Sequence, residues 1–200
     1  MSICLPEFDS RLVFFVCAIK SGNAKRGSGQ PNTPEFANGK ESMEDVSTLA
    51  AAVGKIPSGL FVVTTVLHGR KEGYLGSWIQ QASFSPLLIS IAIRPGRPCY
   101  DAIKNHGRFC VNVIGAKNGG VMKPFWNPES SPDPFAGLEQ ETTARGNVVL
   151  KNGLAAFECE LRSSITPGDH EIIYAEVVAG HLIQLEDKPL THVRKSGLSY

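Results

Sequence analysis

Charge bias is missing from this chain: 20 Lys and Arg stand against 19 Asp and Glu, a formal charge of +1. With no field of one sign, nothing draws it to nucleic acid or to an anionic membrane. Long apolar runs are missing too. Leu12–Ile19 is only about a third of the length that spans a bilayer. It follows Glu7 and Asp9 rather than a basic start, which argues against a secretory signal. The five cysteines, at positions 4, 17, 99, 110 and 159, are odd in number and form no CxxC pair. They read as small buried hydrophobes in a reducing, cytoplasmic setting. The five histidines, at 68, 106, 170, 181 and 192, lack HxxxH or HxExD spacing, so no metal centre is indicated. No GxSxG elbow supports a serine hydrolase, and no GxGxxG follows a strand to hold a dinucleotide on a Rossmann unit.

What is present is a chain of 200 residues, 42% hydrophobic, with 20 glycines and 13 prolines. That is enough for one core and many turns, and it favours β structure. Ser21–Glu41 is polar and aperiodic, so residues 1–41 read as a largely flexible N-terminal extension and residues 42–200 as the folded domain. The glycine run Gly27–Gly29 does not lie between a strand and a helix and carries no phosphate-loop meaning. Ser42 with Asp45 forms a weak capping box. The spacing of Val46, Leu49, Ala50 and Val53 predicts a helix with one buried face, stopped by Gly54.

Strand signals dominate from there. Leu60–Leu67 is a β-branched run, Arg70–Gly73 reads as a turn, and Leu87–Ile93 and Phe109–Ile114 are further strands. Between those two, Pro98 suits the first position of a helix that Gly107 ends. Gly115–Thr143 is long, polar and irregular but holds Met122, Phe125, Trp126 and Phe135, the profile of a functional loop. Phe157, Cys159 and Leu161 alternate with Glu158, Glu160 and Arg162, a strand with one wet face. Glu171–Val178 and His181–Leu185 read as two strands parted by Ala179 and Gly180. One or two helices with six or more short strands point to a small antiparallel barrel.

Three groups of residues could carry chemistry. The run Gly73–Leu88 couples a small-residue turn, Leu75, Gly76 and Ser77, to the indole of Trp78 and then to Gln80, Gln81 and Ser83. Backbone N–H groups, short hydroxyls and one large aromatic so close together suit a planar ligand with a polar edge, such as a flavin. The same residues also read as core aromatics beside a solvated edge. Arg97-Pro98-Cys99 at a helix start pairs a formal charge with the positive end of the helix dipole, an anion site. Gly168-Asp169-His170 is a plain turn or a site element. On an extended strand, Asp169 and His170 would point to opposite faces and not pair.

In this order, the segments IPSGLFVVTT (Ile56–Thr65), GSWIQQASFSPLLISIAI (Gly76–Ile93), GRFCVNVI (Gly107–Ile114), GDHEIIYAEV (Gly168–Val177) and HVRKSGLSY (His192–Tyr200) resemble the flavin reductase-like family of FMN-binding split barrels. The SWxxQASF form is most similar to the flavin reductase module of cyanobacterial flavodiiron proteins; their diiron and flavodoxin modules have no counterpart here, and the chain is too short for them. The resemblance implies a six-stranded antiparallel Greek-key split barrel, mainly β, that forms a homodimer and binds FMN near the interface. It implies that Leu75–Trp78 run along the isoalloxazine, that Ser83 and the Arg97–Cys99 loop face the phosphate, and that His170 is the catalytic-site histidine where nicotinamide stacks. The activity implied is an NAD(P)H-dependent flavin oxidoreductase passing hydride to flavin N5; a non-enzymatic FMN protein relaying electrons to a partner oxidoreductase stays open. Two departures are visible. The usual Pro-Pro is Pro86-Leu87, and a Ser or Thr common near the helix start is Cys99, a weaker hydrogen-bond donor.

Overall fold

The computed structural model describes residues 43–126 and 132–199. The expected extension 1–41, the capping pair Ser42/Asp45, and Cys4 and Cys17 lie outside the residues and side chains described. Within them, helix α1 (Met43–Gly54) leads to β1 (Ser58–Gly59), β2 (Phe61–Leu67), β3 (Arg70–Gly76), β4 (Ile79–Ser83) and β5 (Leu88–Ile93). Helix α2 (Tyr100–His106) and β6 (Arg108–Val113) follow, then a 3-10 segment (Ala116–Met122) running into α3 (Lys123–Trp126). The rest is β7 (Gln140–Thr142), β8 (Val148–Leu150), β9 (Ala155–Ile165), β10 (Glu171–Leu182) and β11 (Thr191–His192). No helix among the described residues is long and apolar enough to cross a membrane.

Seven of these strands form one antiparallel sheet in the order β3-β2-β6-β9-β10-β5-β4. Its two outermost strands, β3 and β4, are consecutive in the chain and separated only by Ser77 and Trp78. One bent strand therefore pairs with β2 through its first half and with β5 through its second, closing a six-stranded split barrel. The ladder to β2 ends at Phe61↔Gly76, and the ladder to β5 starts at Ile79↔Ile91. The bend falls at the residues singled out from sequence.

Alternation along β2 divides two cores. Val63 faces the barrel interior with Ile91, Ile93, Ile103, Phe109 and Ile173, while Val62 faces a second cluster with Ile114, Phe125, Phe135, Val148 and Leu150. The long segment after β6 supplies core as well as loop: Phe125 and Phe135 meet edge to face at 5.2 Å. They press on Gly73, where a Cβ would come within 2.5 Å of Phe125. Only Trp126 of its aromatics stays exposed.

Four other expectations are corrected. The turn after β2 is His68-Gly69, both at positive φ (50° and 79°), not Arg70–Gly73. Two such residues make the tight hairpin whose twist matches its strands, so Arg70 already pairs with Leu67. The predicted buried face of α1 is largely exposed at Val46, Leu49 and Val53, and Ala50 alone is buried. The helix meets the domain through the C-terminal segment, where Gly197 N–H donates to Ala50 O at 2.5 Å. The two last predicted strands are one, β10: Val178 is the extra residue of a bulge between the Val177↔Cys159 and Ala179↔Glu158 pairs, and Ala179-Gly180 stay in the ladder. Finally, the face of β9 expected to be wet buries Glu158 at 2% exposure beneath the β7–β8 hairpin. Burial alone would raise its pKa, but hydrogen bonds from Asn147, Thr143 and His181 prevail and hold the carboxyl below the usual range.

Candidate functional site

The barrel's bend and the start of β10 meet at one end of β5. Trp78 O accepts a hydrogen bond from Ala92 N–H, and Glu171 pairs with Ile93 on the other side of the same strand. That register sets His170 beside Trp78, their ring centroids 4.9 Å apart and tilted by 50°. Residues distant in sequence thus form one aromatic corner.

His170 lies in the bend before β10, not on the strand, so the extended-strand argument against pairing with Asp169 does not apply. Its Nδ1 lies 2.9 Å from Asp169 Oδ1. That hydrogen bond, with the charge of Arg94, holds the Asp169 carboxyl below its ordinary range. One residue on, Glu171 is buried at 5% exposure and receives Tyr100 Oη at 2.5 Å and Lys104 Nζ at 2.6 Å. Hydrogen bonds from Lys104, Ser164 and Tyr100 push its pKa down to about 2. This cluster fastens α2 to the start of β10, next to His170.

Ser77 sits between the two ladders and is 7% exposed. Its Oγ is the one buried side-chain polar atom, among the described residues, with no hydrogen-bond partner. A buried hydroxyl without a partner is costly, and such an atom beside an aromatic corner is fitted to receive a polar ligand edge. Gly76 closes β3 beneath the Tyr74 ring, 3.2 Å from where a Cβ would lie.

The remaining predicted residues separate from this corner. Leu75 packs into the second core cluster, so only its main chain is available to a ligand. Gln80 and Gln81 are exposed, with Gln81 Nε2 donating to Ser83 O at 3.4 Å. Both line an apolar recess of about 310 Å³ with Phe61, Ile79, Ile89 and Leu87. Ser83, half-buried, ends β4 after a bulge. Arg97 is exposed, and Pro98 precedes rather than opens α2, which is seven residues long.

Cys99 differs most from expectation. It caps α2 with φ 71°, is 1% exposed, and its thiol lies 3.7 Å from Val63 O, facing the core. Burial, with the Glu72 charge, pushes its pKa well up, so the thiol is neutral. Its N–H donates to Glu72 Oε2 at 3.2 Å. The expected anion loop thus already holds an anion, the carboxylate of Glu72. Arg97 and Cys99 line a cleft of about 700 Å³ with Arg70, Lys71, Glu72 and Asp101, beside the start of β3 rather than its end.

Sequence reasoning missed Arg194. It is 7% exposed, and its guanidinium carbon lies 4.9 Å from the Trp78 ring centroid. It belongs to the closing segment, His192–Tyr200, whose start is placed by β1–β11 pairing, Ser58↔His192.

Fold and corner together define a split barrel with an aromatic corner at its bend. The flavin reductase like domain matches residues 53–197, and the chain belongs to that family. Diflavin flavoprotein A 1 of Synechocystis sp. is 31% identical over 156 residues, 77% of this chain and 27% of the relative. Putative diflavin flavoprotein A 6 of Nostoc sp. is 34% identical over 151 residues, 74% of this chain and 26% of the relative. The chain thus spans about a quarter of the length of the curated relatives it matches. Among solved structures, a homologue of nitrilotriacetate monooxygenase component B from Mycobacterium thermoresistibile superposes with a TM-score of 0.68 at 26% identity, covering 76% of this chain and 84% of that one. The NADH:FAD oxidoreductase of Streptomyces globisporus C-1027, in complex with NAD and FAD fragments, gives 0.66 at 21% identity, covering 74% and 86%. At that identity the likeness concerns the fold.

Proposed function

We propose that this domain is an NAD(P)H-dependent flavin oxidoreductase that binds FMN at the bend between β3 and β4. The observation that carries the reading is the partnerless buried hydroxyl of Ser77, set between two ladders and next to the Trp78–His170 corner. A bound flavin would supply the hydride-accepting chemistry. The chain's own part is to bind and orient. Ser77 would hydrogen-bond the polar ring edge, the main chain of Leu75–Trp78 would line it, and Trp78 with His170 would bound the space beside it. His170, fixed at Nδ1 by Asp169, would offer its ring as a positioning surface for nicotinamide. The Glu171–Tyr100–Lys104 cluster keeps that surface still.

The cleft at Arg97 supports a weaker phosphate contact than the sequence suggests, because Glu72 occupies the α2 N-terminus. Flavin would then exchange readily. A homodimer is part of the proposal, supported by Phe84 at 89% exposure and Leu87 beside the apolar recess. The test is a visible spectrum of the purified chain with added FMN or FAD, followed by anaerobic stopped-flow mixing with NADH or NADPH. Rapid bleaching of the flavin band supports an oxidoreductase. A bound flavin reduced only slowly supports the electron-relay alternative, and no bound flavin rejects both.

A further inference from the structure

Arginine is seldom buried, because stripping water from a guanidinium is costly unless the surroundings replace it. Arg194 is nonetheless 7% exposed. The Trp78 ring lies 4.9 Å from its guanidinium carbon, and its Nη1 donates to Gly197 O at 3.4 Å. Its backbone is held as tightly. A Cβ on Gly54 of α1 would lie 3.0 Å from Arg194 O, and one on Gly197 would lie 2.6 Å from Val53 Cβ. With the Gly197–Ala50 hydrogen bond, these close approaches clamp the segment 194–197 against the end of α1. The side chain then reaches from a fixed base to the indole that meets His170.

We propose that Arg194 is a positioning residue: its guanidinium sets the Trp78 indole against the His170 imidazole, so that the C-terminal segment and α1 form part of the site. The ligand-binding part of this inference rests on the flavin reading above; the contact between Arg194 and Trp78 does not. Arginine suits the task better than lysine, since a planar, weakly hydrated guanidinium stacks on an indole where an ammonium prefers water.

The experiment uses the full chain carrying Trp126→Phe, which leaves Trp78 the sole indole; Trp126 is 67% exposed and outside the site. Into it go Arg194→Met, which keeps the apolar stem, and Arg194→Lys, which keeps the charge and guards against a methionine variant that does not fold. Without flavin, Arg194→Met should lose the near-ultraviolet dichroism of Trp78 and make its fluorescence more accessible to acrylamide, with Arg194→Lys intermediate. With FMN, Arg194→Met should weaken binding by about three- to thirtyfold, the range of a partly to fully desolvated cation–π contact. In a Trp78→Leu background the same change should have no further effect. Unchanged Trp78 signals overturn the proposal, as does an equal loss of FMN affinity with and without Trp78. If the parent chain binds no flavin, the flavin reading fails, while the dichroism and quenching still decide the Arg194 contact.

Discussion

Replacing Ser77 with alanine should make the flavin-free protein more stable and the flavin complex weaker. The hydroxyl is 7% exposed and its Oγ has no partner. An unsatisfied buried polar group costs about 1–3 kcal/mol, and alanine removes it while leaving the Cβ in place. A gain near the bottom of that range, about 1 kcal/mol, moves the melting temperature of a domain this size up by roughly 2–4 °C. In the complex the same hydroxyl gains a partner. Losing one neutral hydrogen bond there costs about 0.5–1.5 kcal/mol, a two- to twelvefold rise in Kd for FMN. The assay is paired: scanning calorimetry of the apo protein, and titration of FMN followed by quenching of flavin fluorescence. Opposite signs are the signature of an atom held in reserve for a ligand. A lower apo melting temperature, or an unchanged Kd, would refute the assignment of Ser77 to the flavin edge.

Glu171→Gln should lower stability at neutral pH by about 1.5–3 kcal/mol, the range for a hydrogen bond to a charged group. Because the folded carboxyl titrates at about 2 and an unfolded one near about 4.3, its contribution is full above the unfolded value and fades as the pH falls toward the folded one. The gap between wild type and variant in urea melts should therefore narrow from about pH 4.5 downward, and a constant gap would count against the cluster. Gly73→Ala forces a Cβ to within 2.5 Å of the Phe125 ring and should destabilise by about 1–3 kcal/mol, read as a lower urea midpoint. Cys99, Cys110 and Cys159 are all buried, with burial raising each thiol pKa, that of Cys110 to about 12. Peptide mapping after alkylation of the native protein should find these three unmodified, and modified once denaturant is added.

Local periodicity and the order of motifs determined much by themselves. The β-branched run of β2, the alternation of β5 and the glycine stop of α2 were legible because each reflects only near neighbours. The run around Ser77 and Trp78 was legible for the same reason. Tertiary structure alone decided the rest. Burial of Glu158, exposure of α1 and the Phe125–Phe135 core depend on what packs above a strand, which no local pattern records. The site depends on register: Trp78 and Arg194 are 4.9 Å apart because a bent strand closes a barrel and β11 returns to β1. Cys99 shows the converse. Its place before a helix suggested an anion contact, but a left-handed backbone turned the thiol into the core and gave its N–H to Glu72. Sequence carried the residue types of the corner; only closure of the barrel decided which of them meet.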